Sequence, residues 1–352
     1  DLSGSAGPAG PPELRAAIAE AVRRTLLSDR PLGLALSGGL DSTIIAHEVQ
    51  AAGIEDLDTI SLTPQGDSDG VRSLDALGLA PGAHQGWRHH HVEFGPSQLL
   101  GQLAEAVSIM AAPTAMTSVP LYLAVAQAAR QAGIVVLLVG EGADELFGGY
   151  RSYLGLEQAD TTFDFYHQLA RAELVAELVG TEQLDAARQA LREALPGHAD
   201  VRAGVAEFER VHSLQPLLER TDLLTMACSI EARTPFLHGG IVAHADALAW
   251  ADKYGDGQTK RALRRAYADV LPRFAHEQKT PFRAPWARWC RHELAAPVRQ
   301  LLLDGIPELA AVGIRPAGVQ LICRRLAAGQ PEAVQLAFCL TTMVMWLRGG
   351  AE

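Results

Sequence analysis

The sequence predicts an α/β fold, in which a parallel sheet is covered by helices and is followed by a mostly helical C-terminal half. Helix and strand patterns alternate up to about residue 139, an order typical of parallel strands joined by crossover helices. Residues 134–139 are apolar throughout, as expected for a strand buried on both faces. Beyond Thr161 the strand patterns fade, and stretches rich in Ala, Leu, Arg and Glu predict helices.

The individual elements follow from periodicity and from turn residues. Leu14, Ile18, Val22 and Leu26 recur every four residues and predict an amphipathic first helix. The predicted strands are residues 32–36, 57–62, 89–94 and 134–139. The other predicted helices are residues 42–52, 96–110, 120–133, 163–195, 203–228, 258–271 and 316–347. Between the second and third strands, residues 63–88 are rich in Gly, Asp and Pro and predict a long loop.

Composition excludes several classes of protein. The chain has 352 residues, of which 48% are apolar and 20% charged, as in an ordinary globular protein. Its net charge of −11 disfavours general nucleic-acid binding, which usually needs a basic face. Neither a signal segment nor an apolar run long enough to span a bilayer is found, so we expect a cytoplasmic protein without membrane contact. The four cysteines, predicted to be reduced and buried, are Cys228, Cys290, Cys323 and Cys339.

A glycine turn between the first strand and the second helix is the most informative segment. Ser37, Gly38 and Gly39 form the turn, and Asp41 and Ser42 open the helix. Glycines let the backbone approach a ligand, and the amides of a helix N-terminus favour an anion such as pyrophosphate. Asp41 would repel a phosphate but suits Mg²⁺, which bridges carboxylates and phosphates. The structural alternative is a plain strand–helix junction, with Asp41 and Ser42 as helix caps.

A second glycine-flanked loop, residues 140–150, follows the strongest strand. It carries Glu141, Asp144 and Glu145 where ligands bind in open α/β sheets. Carboxylates buried together need a compensating cation, so Asp144 and Asp41 are candidates to share one Mg²⁺. The structural alternative is an acidic helix N-terminus.

Together these segments resemble the N-type ATP pyrophosphatases, and the acidic loop resembles their asparagine synthetase branch. The resemblance implies a PP-loop fold related to the adenine nucleotide alpha hydrolases. It covers about residues 12–347. We expect residues 1–12 to be a linker or a trimmed end and residues 13–352 to form one synthetase-like domain. Within it, residues 13–155 are the predicted nucleotide-binding core, and residues 156–352 are the helical part that completes the site.

The resemblance also implies roles for individual residues. Asp41 and Asp144 would hold Mg²⁺, and Glu141 would lie at the reaction centre as a candidate base. Lys260 would reach pyrophosphate, and Lys279 would stabilise the charge that develops at the reacting centre. The residues implied to contact ATP or pyrophosphate are Leu36, Ser37, Gly38, Gly39, Asp41, Ser42, Ser61, Gly140 and Lys260.

Three other features of the helical half bear on the site. Glu231 and Arg233 look like an ion pair with either a structural or a substrate-contact role. His238 stands where the family usually has aspartate, which puts local substrate contacts in doubt. Glu277 replaces a family arginine two residues before Lys279.

A run of three histidines, His89, His90 and His91, is not expected to bind a metal. Neighbouring residues of a strand point to opposite faces, so the three rings cannot converge on one ion.

The implied activity is an amide-bond synthetase that uses ATP and Mg²⁺, forms AMP and pyrophosphate, and joins a carboxylate to an amine or to ammonia. The alternatives are a specialised-metabolite amide, macrolactam or β-lactam synthetase of the same family, and a non-catalytic nucleotide-binding module. A glutaminase domain or partner protein that supplies ammonia is also left open.

Overall fold

The computed structural model describes residues 10–66, 86–169, 172–195, 197–198, 200–275 and 282–349. The five strands are β1 (Leu32–Ala35), β2 (Leu57–Pro64), β3 (Trp87–Phe94), β4 (Val136–Leu138) and β5 (Glu231–Arg233). The helices before β5 are α1 (Pro11–Thr25), α2 (Leu40–Ala51), α3 (Pro96–Met110), α4 (Val119–Gln131), α5 (Ala143–Phe147), α6 (Thr162–Leu169), α7 (Ala172–Val179), α8 (Thr181–Ala194), α9 (Val201–Phe208) and α10 (Leu214–Ala227).

The helices after β5 are α11 (Gly239–Ala247), α12 (Trp250–Lys253), α13 (Arg261–Ala266), α14 (Trp286–Trp289), α15 (Ala295–Asp304), α16 (Ile306–Ala311), α17 (Pro316–Ala327) and α18 (Glu332–Gly349). Short 3₁₀ turns cover Arg151–Gln158, Pro235–Leu237 and Pro272–Ala275, and a π-helical turn covers Glu209–Ser213. The predicted fold class is confirmed: the protein has a five-stranded parallel sheet covered by helices.

The strand order is β3-β2-β1-β4-β5, with β1 in the centre. In the paired strands, Leu34 of β1 lies opposite Thr59 of β2 and Leu138 of β4, both in parallel register. After β1 the chain forms β2 and β3 on one side of β1. It then crosses back and forms β4 on the other side of β1. This reversal is the topological switch point, where open α/β sheets form a ligand crevice at the carboxyl ends of their strands.

The chain divides into two compact units, each made of three stretches. The first comprises Asp1–Val92, Val125–Gln158 and Asp200–Pro281, and the second comprises Glu93–Ala124, Ala159–Ala199 and Phe282–Glu352. The predicted division near residue 155 stays a prediction.

In the first unit, α1 and α2 pack together over the sheet. The predicted stripe of α1 is buried, with Leu14, Ile18 and Val22 no more than 3% exposed. Helix α1 also packs against α11 and α13, which come from the C-terminal half of the sequence. These helices bury one face of β1, including Leu34. Burial of this apolar surface is the main favourable term that holds the unit together.

The second unit, within its described residues, is helical except where it takes in the end of β3. Helix α18 packs against α3, α15, α16 and α17. Thr342 donates its hydroxyl to the carbonyl of Thr114 over 2.8 Å, and the indole of Trp286 donates to the carbonyl of Val334 over 2.9 Å. These bonds tie α18 to the loop after α3 and α14 to the start of α18.

The structure differs from several predicted elements. The predicted helix 163–195 is divided into α6, α7 and α8, 316–347 is divided into α17 and α18, and 258–271 is an α-helix only over Arg261–Ala266. β5 lies in the half of the sequence where no strand was expected. It is only three residues long, too short for a period of two to show. The predicted loop 63–88 begins and ends as strand, because β2 reaches Pro64 and β3 starts at Trp87; residues 67–85 lie outside the described part. The predicted strand 134–139 is reduced to Val136–Leu138.

Candidate functional site

The glycine turn joins the central strand β1 to α2, and the N-terminus of α2 lies at the switch point. β1 ends at Ala35, Leu36 donates its amide to Ile60 over 2.7 Å, and α2 begins at Leu40. Gly38 has a φ of 76°, in the left-handed region that favours glycine. The hydroxyl of Ser42 lies 3.1 Å from that of Ser37 and donates to the Gly39 carbonyl over 3.2 Å. These bonds hold the turn closed. The first amides of α2 have no acceptors within the helix, as a phosphate site requires.

Three charged side chains converge beside this turn. The Lys260 ammonium donates to Asp41 Oδ2 over 2.5 Å and lies 2.6 Å from Asp144 Oδ1. The side chain of Lys260 is only 3% exposed, whereas those of Asp41 and Asp144 are 19% and 18% exposed. Three sequence-predicted residues from distant parts of the chain therefore form one ionic cluster at the carboxyl ends of β1 and β4.

The cluster is confined by the backbone of the acidic loop. A Cβ at position 149 would lie 1.7 Å from Asp144 Oδ1 and 2.4 Å from Lys260 Cε, so only glycine fits there. Gly140 lies against Asp41 on the other side. The amide of Lys260 is 3.4 Å from the Gly148 carbonyl, and Lys260 itself has a φ of 54°. A positive φ at a lysine is strained, and such strain commonly occurs at functional sites.

The cluster fits a magnesium ion. Asp41 Oδ1 is buried and has no hydrogen-bond partner among the described residues, so one carboxylate oxygen is left for another cation. No group of three or more His, Cys, Asp or Glu that could hold a metal occurs within the described part of the chain. Two carboxylates nevertheless suit Mg²⁺, which usually completes its coordination with water and substrate phosphates.

Glu141 is held by an arginine that the sequence did not single out. Arg220 of α10 donates to Glu141 Oε1 over 2.7 Å, and their side chains are 3% and 16% exposed. The sequence could have indicated this arginine, because Arg220 lies one helical turn before Leu224. Both residues are on the buried side of α10. An arginine on the apolar side of a helix needs a buried acceptor.

A second pair in the acidic loop joins Tyr150 to Glu145. The Tyr150 hydroxyl donates to Glu145 Oε1, which closes the loop around Gly149. Glu145 is 5% exposed, and burial raises the pKa of its carboxyl. Burial and the neighbouring carboxylate also raise the pKa of Tyr150 above its usual range. From the sequence, Glu145 was predicted only as part of an acidic group, and Tyr150 was assigned no role.

Ser61, which the resemblance implies to contact ATP, is buried in a polar network on β2 and β3. Its hydroxyl lies 3.0 Å from both His89 Nε2 and His91 Nδ1, and His89 Nδ1 lies 2.9 Å from the Thr59 hydroxyl. Burial, with smaller contributions from His91 and His90, lowers the pKa of His89 to about 4. His89 is therefore neutral near pH 7 and holds the Ser61 hydroxyl.

His90 makes its contact elsewhere, 2.7 Å from Asp58 Oδ1. Burial alone would raise the pKa of Asp58, but hydrogen bonds from Arg88 and His90 outweigh burial and lower it. The three rings thus alternate between two sets of partners, as the strand period requires.

The remaining predicted residues are the Glu231–Arg233 pair, His238, Glu277 and Lys279. Arg233 donates to Glu231 over 2.8 Å and also to the carbonyls of Thr25 and Leu27, which favours a structural role at the end of α1. His238 accepts the Gly240 amide at Nδ1 over 3.3 Å and caps α11, a role that aspartate also fulfils. Lys279 and Glu277 lie outside the described residues.

The fold and the site together define a PP-loop-type α/β protein, with carboxylates and a lysine gathered where the central strand meets its glycine turn. Comparison with known proteins names the family. A family model described as Asparagine synthase matches residues 13–348, and the chain belongs to this family.

Several curated proteins are similar to the chain. A putative asparagine synthetase (glutamine-hydrolyzing) of Mycobacterium bovis is 30% identical over 328 residues, which cover 79% of this chain and 49% of the relative. Asparagine synthetase (glutamine-hydrolyzing) 1 of Bacillus subtilis is 25% identical over 336 residues, which cover 83% of this chain and 52% of the relative. The chain thus spans about half the length of these relatives.

Among the described residues, no helix combines the length and the apolar composition needed to cross a membrane.

Proposed function

We propose that this protein cleaves ATP to AMP and pyrophosphate, adenylates a carboxylate, and transfers the acyl group to an amine or to ammonia. The observation that carries the proposal is the Asp41–Lys260–Asp144 cluster beside the glycine turn, in which a buried oxygen of Asp41 has no hydrogen-bond partner within the described part of the chain. A pyrophosphate-forming enzyme needs this combination of backbone amides, carboxylates for a cation, and a lysine for the leaving group.

In the proposed first step, a carboxylate oxygen of the substrate attacks the α-phosphorus of ATP, and pyrophosphate leaves. The turn of residues 37–42 binds the departing phosphates through its amides, and Lys260 offers them its ammonium. Asp41 and Asp144 would hold Mg²⁺, which when bound offsets negative charge on the phosphates. Leu36, which directly follows β1, and Ser61, which lies on the neighbouring strand β2, are the proposed contacts of the adenine.

In the proposed second step, an amine attacks the acyl carbon, AMP leaves, and one proton is released. Glu141 is the proposed acceptor of that proton, and Arg220 holds its carboxylate in place. Lys279 is proposed, from the family resemblance, to stabilise the oxyanion.

The names of the similar proteins favour one carboxylate and one nitrogen source among the family's alternatives. The similar proteins are named asparagine synthetases, which favours aspartate, and they are named glutamine-hydrolyzing, which favours ammonia from a glutaminase domain or partner. A specialised-metabolite amide synthetase is the second candidate within the family. It is favoured by His238, which stands where the family usually has aspartate.

The test is to measure pyrophosphate and AMP release with Mg-ATP and a panel of carboxylates, with ammonium or glutamine as nitrogen donor. Aspartate-dependent release that ammonium increases would establish the asparagine synthetase type, and release with another acid would establish a specialised synthetase. Asp144→Asn should abolish release, whereas Asp29→Asn, which removes an equal charge at an exposed position, should not. Tight ATP binding without release from any acid would instead support a non-catalytic module.

A further inference from the structure

The half-buried carboxylates of the cluster already have a cation. Lys260 Nζ lies within 2.6 Å of an oxygen from each of Asp41 and Asp144. Two carboxylates with side chains less than one-fifth exposed would repel each other strongly without a positive charge between them. Lys260 therefore supplies the charge compensation that the pair needs.

The protein strains its backbone to place this ammonium. Lys260 adopts a left-handed conformation with φ 54° and ψ 39°, which is strained for a residue other than glycine. Gly149 leaves no room for the Lys260 chain to move aside in that direction, because the glycine packs directly on Asp144 Oδ1 and Lys260 Cε. The same ammonium cannot bridge the two carboxylates closely while a metal ion binds the oxygens that it contacts.

We propose that Lys260 is the resident counter-cation of the Asp41–Asp144 pair, and that it exchanges with Mg²⁺ when nucleotide binds. With Mg²⁺ held by Asp41 and Asp144, the Lys260 ammonium would leave the carboxylates and become available to the phosphates. The buried oxygen of Asp41 that lacks a partner offers the first contact for the incoming metal. Without nucleotide, the lysine and the metal compete for the same oxygens, so the free protein binds Mg²⁺ weakly.

This inference rests on the proposed use of Mg-ATP at the same site, but its test needs no substrate turnover. Binding of Mn²⁺, used as a probe for Mg²⁺, is measured by electron paramagnetic resonance on nucleotide-free protein. Lys260→Met, which keeps most of the side-chain volume without the charge, should bind Mn²⁺ at least about tenfold more tightly than wild type. The matched control is Lys253→Met, which removes another buried lysine that packs on Gly148 of the acidic loop.

An unchanged or weaker affinity in Lys260→Met would overturn the proposal. An equal gain in both variants would also overturn it, because the effect would then be a general one of charge. If Mn²⁺ behaves as predicted but no carboxylate supports pyrophosphate release, the exchange stands and the proposed reaction fails. Release of pyrophosphate without the gain in Mn²⁺ affinity would support the proposed reaction and overturn the exchange.

A second measurement uses only the wild-type protein and does not depend on the folding of a variant. Acylation of individual lysines is quantified by peptide mass spectrometry at increasing Mg²⁺. Lys260 should be protected without metal and should react at least about threefold faster at saturating Mg²⁺, because expulsion exposes an ammonium that is 3% exposed at rest. Constant reactivity of Lys260, at concentrations where bound Mn²⁺ is detected, would contradict the exchange. Lys253 serves as the internal reference.

Discussion

Arg220 donates to Glu141 over 2.7 Å from a guanidinium that is almost wholly buried, and this pair links α10 to the loop after β4. Removing one partner of a buried pair leaves the other charge uncompensated, which costs more than the pair contributes. We therefore expect Glu141→Ala to lower the free energy of unfolding by about 3 kcal/mol. Adding Arg220→Met should recover part of this loss, because the stranded charge is then gone. Urea denaturation of both single variants and the double variant measures the coupling.

The matched control for that cycle is the surface pair of Arg188 and Asp185, 3.0 Å apart on one helix. Asp185→Ala should change stability by less than about 0.5 kcal/mol. Additive losses for Glu141→Ala and Arg220→Met would show that the two side chains are not energetically coupled.

Gly149→Ala should disable the site. The new methyl group would meet Asp144 Oδ1 at 1.7 Å and Lys260 Cε at 2.4 Å, so the cluster must shift. A displacement of this kind commonly costs about a hundredfold in rate. We expect pyrophosphate release to fall by at least this factor in a steady-state assay.

Gly101→Ala is the control, because a methyl group added at position 101 in α3 would meet nothing within 4 Å. It should leave activity intact and raise stability by about 0.5–1 kcal/mol. Equal activity of Gly149→Ala and wild type would show that the cluster tolerates the shift.

His89 should make the protein less stable in mild acid. Its pKa is lowered from 6.5 to about 4 in the folded state, so the unfolded chain takes up a proton first as the pH falls. This contribution to stability is complete above about pH 6.5 and is lost progressively between about pH 6.5 and about pH 4. His89→Gln cannot titrate and should flatten the slope of melting temperature against pH over this window. Exposed His292→Gln should keep the wild-type slope. Parallel slopes for His89→Gln and wild type would mean that His89 is not kept neutral by the fold.

His238 should act as a helix cap whatever its part in substrate binding. Its Nδ1 accepts the Gly240 amide at the start of α11. His238→Ala should cost about 1 kcal/mol of stability, whereas His238→Asp should retain the cap. Thermal unfolding of the two variants measures the difference. If alanine and aspartate destabilise the protein equally, the cap contributes nothing, and a role in substrate contact becomes the better explanation for the histidine.

Much of the fold was predictable because it depends on local pattern. The four-residue repeat of Leu14, Ile18 and Val22 specified a helix with one apolar side, and that side is the one buried. The predicted starts of β1 and β2 agree with the structure, since a short apolar run between turn residues has few alternatives. β5 was missed because three residues carry no period, and its pairing with β4 is decided by contacts distant in sequence.

The site was predictable only in part. The segments that contain Asp41 and Asp144 were recognised from their glycines and from their positions after strands. Arg220 and Tyr150 were not assigned roles, because their importance depends on the partner each one reaches. Tyr150 is only five residues from Glu145, yet a folded loop is needed to bring the hydroxyl onto the carboxylate.

The sequence by itself determined the order of elements, the glycine turn, the acidic loop and the family, because these depend on local spacing and residue type. Only the tertiary structure decided that Lys260 lies between Asp41 and Asp144, more than one hundred residues from either. It also decided that Arg220 neutralises Glu141 and that Ser61 is held by two histidines. The physical reason is that a buried charge or hydroxyl must find its partner wherever packing brings one within about 3 Å, and that requirement has no fixed separation along the chain.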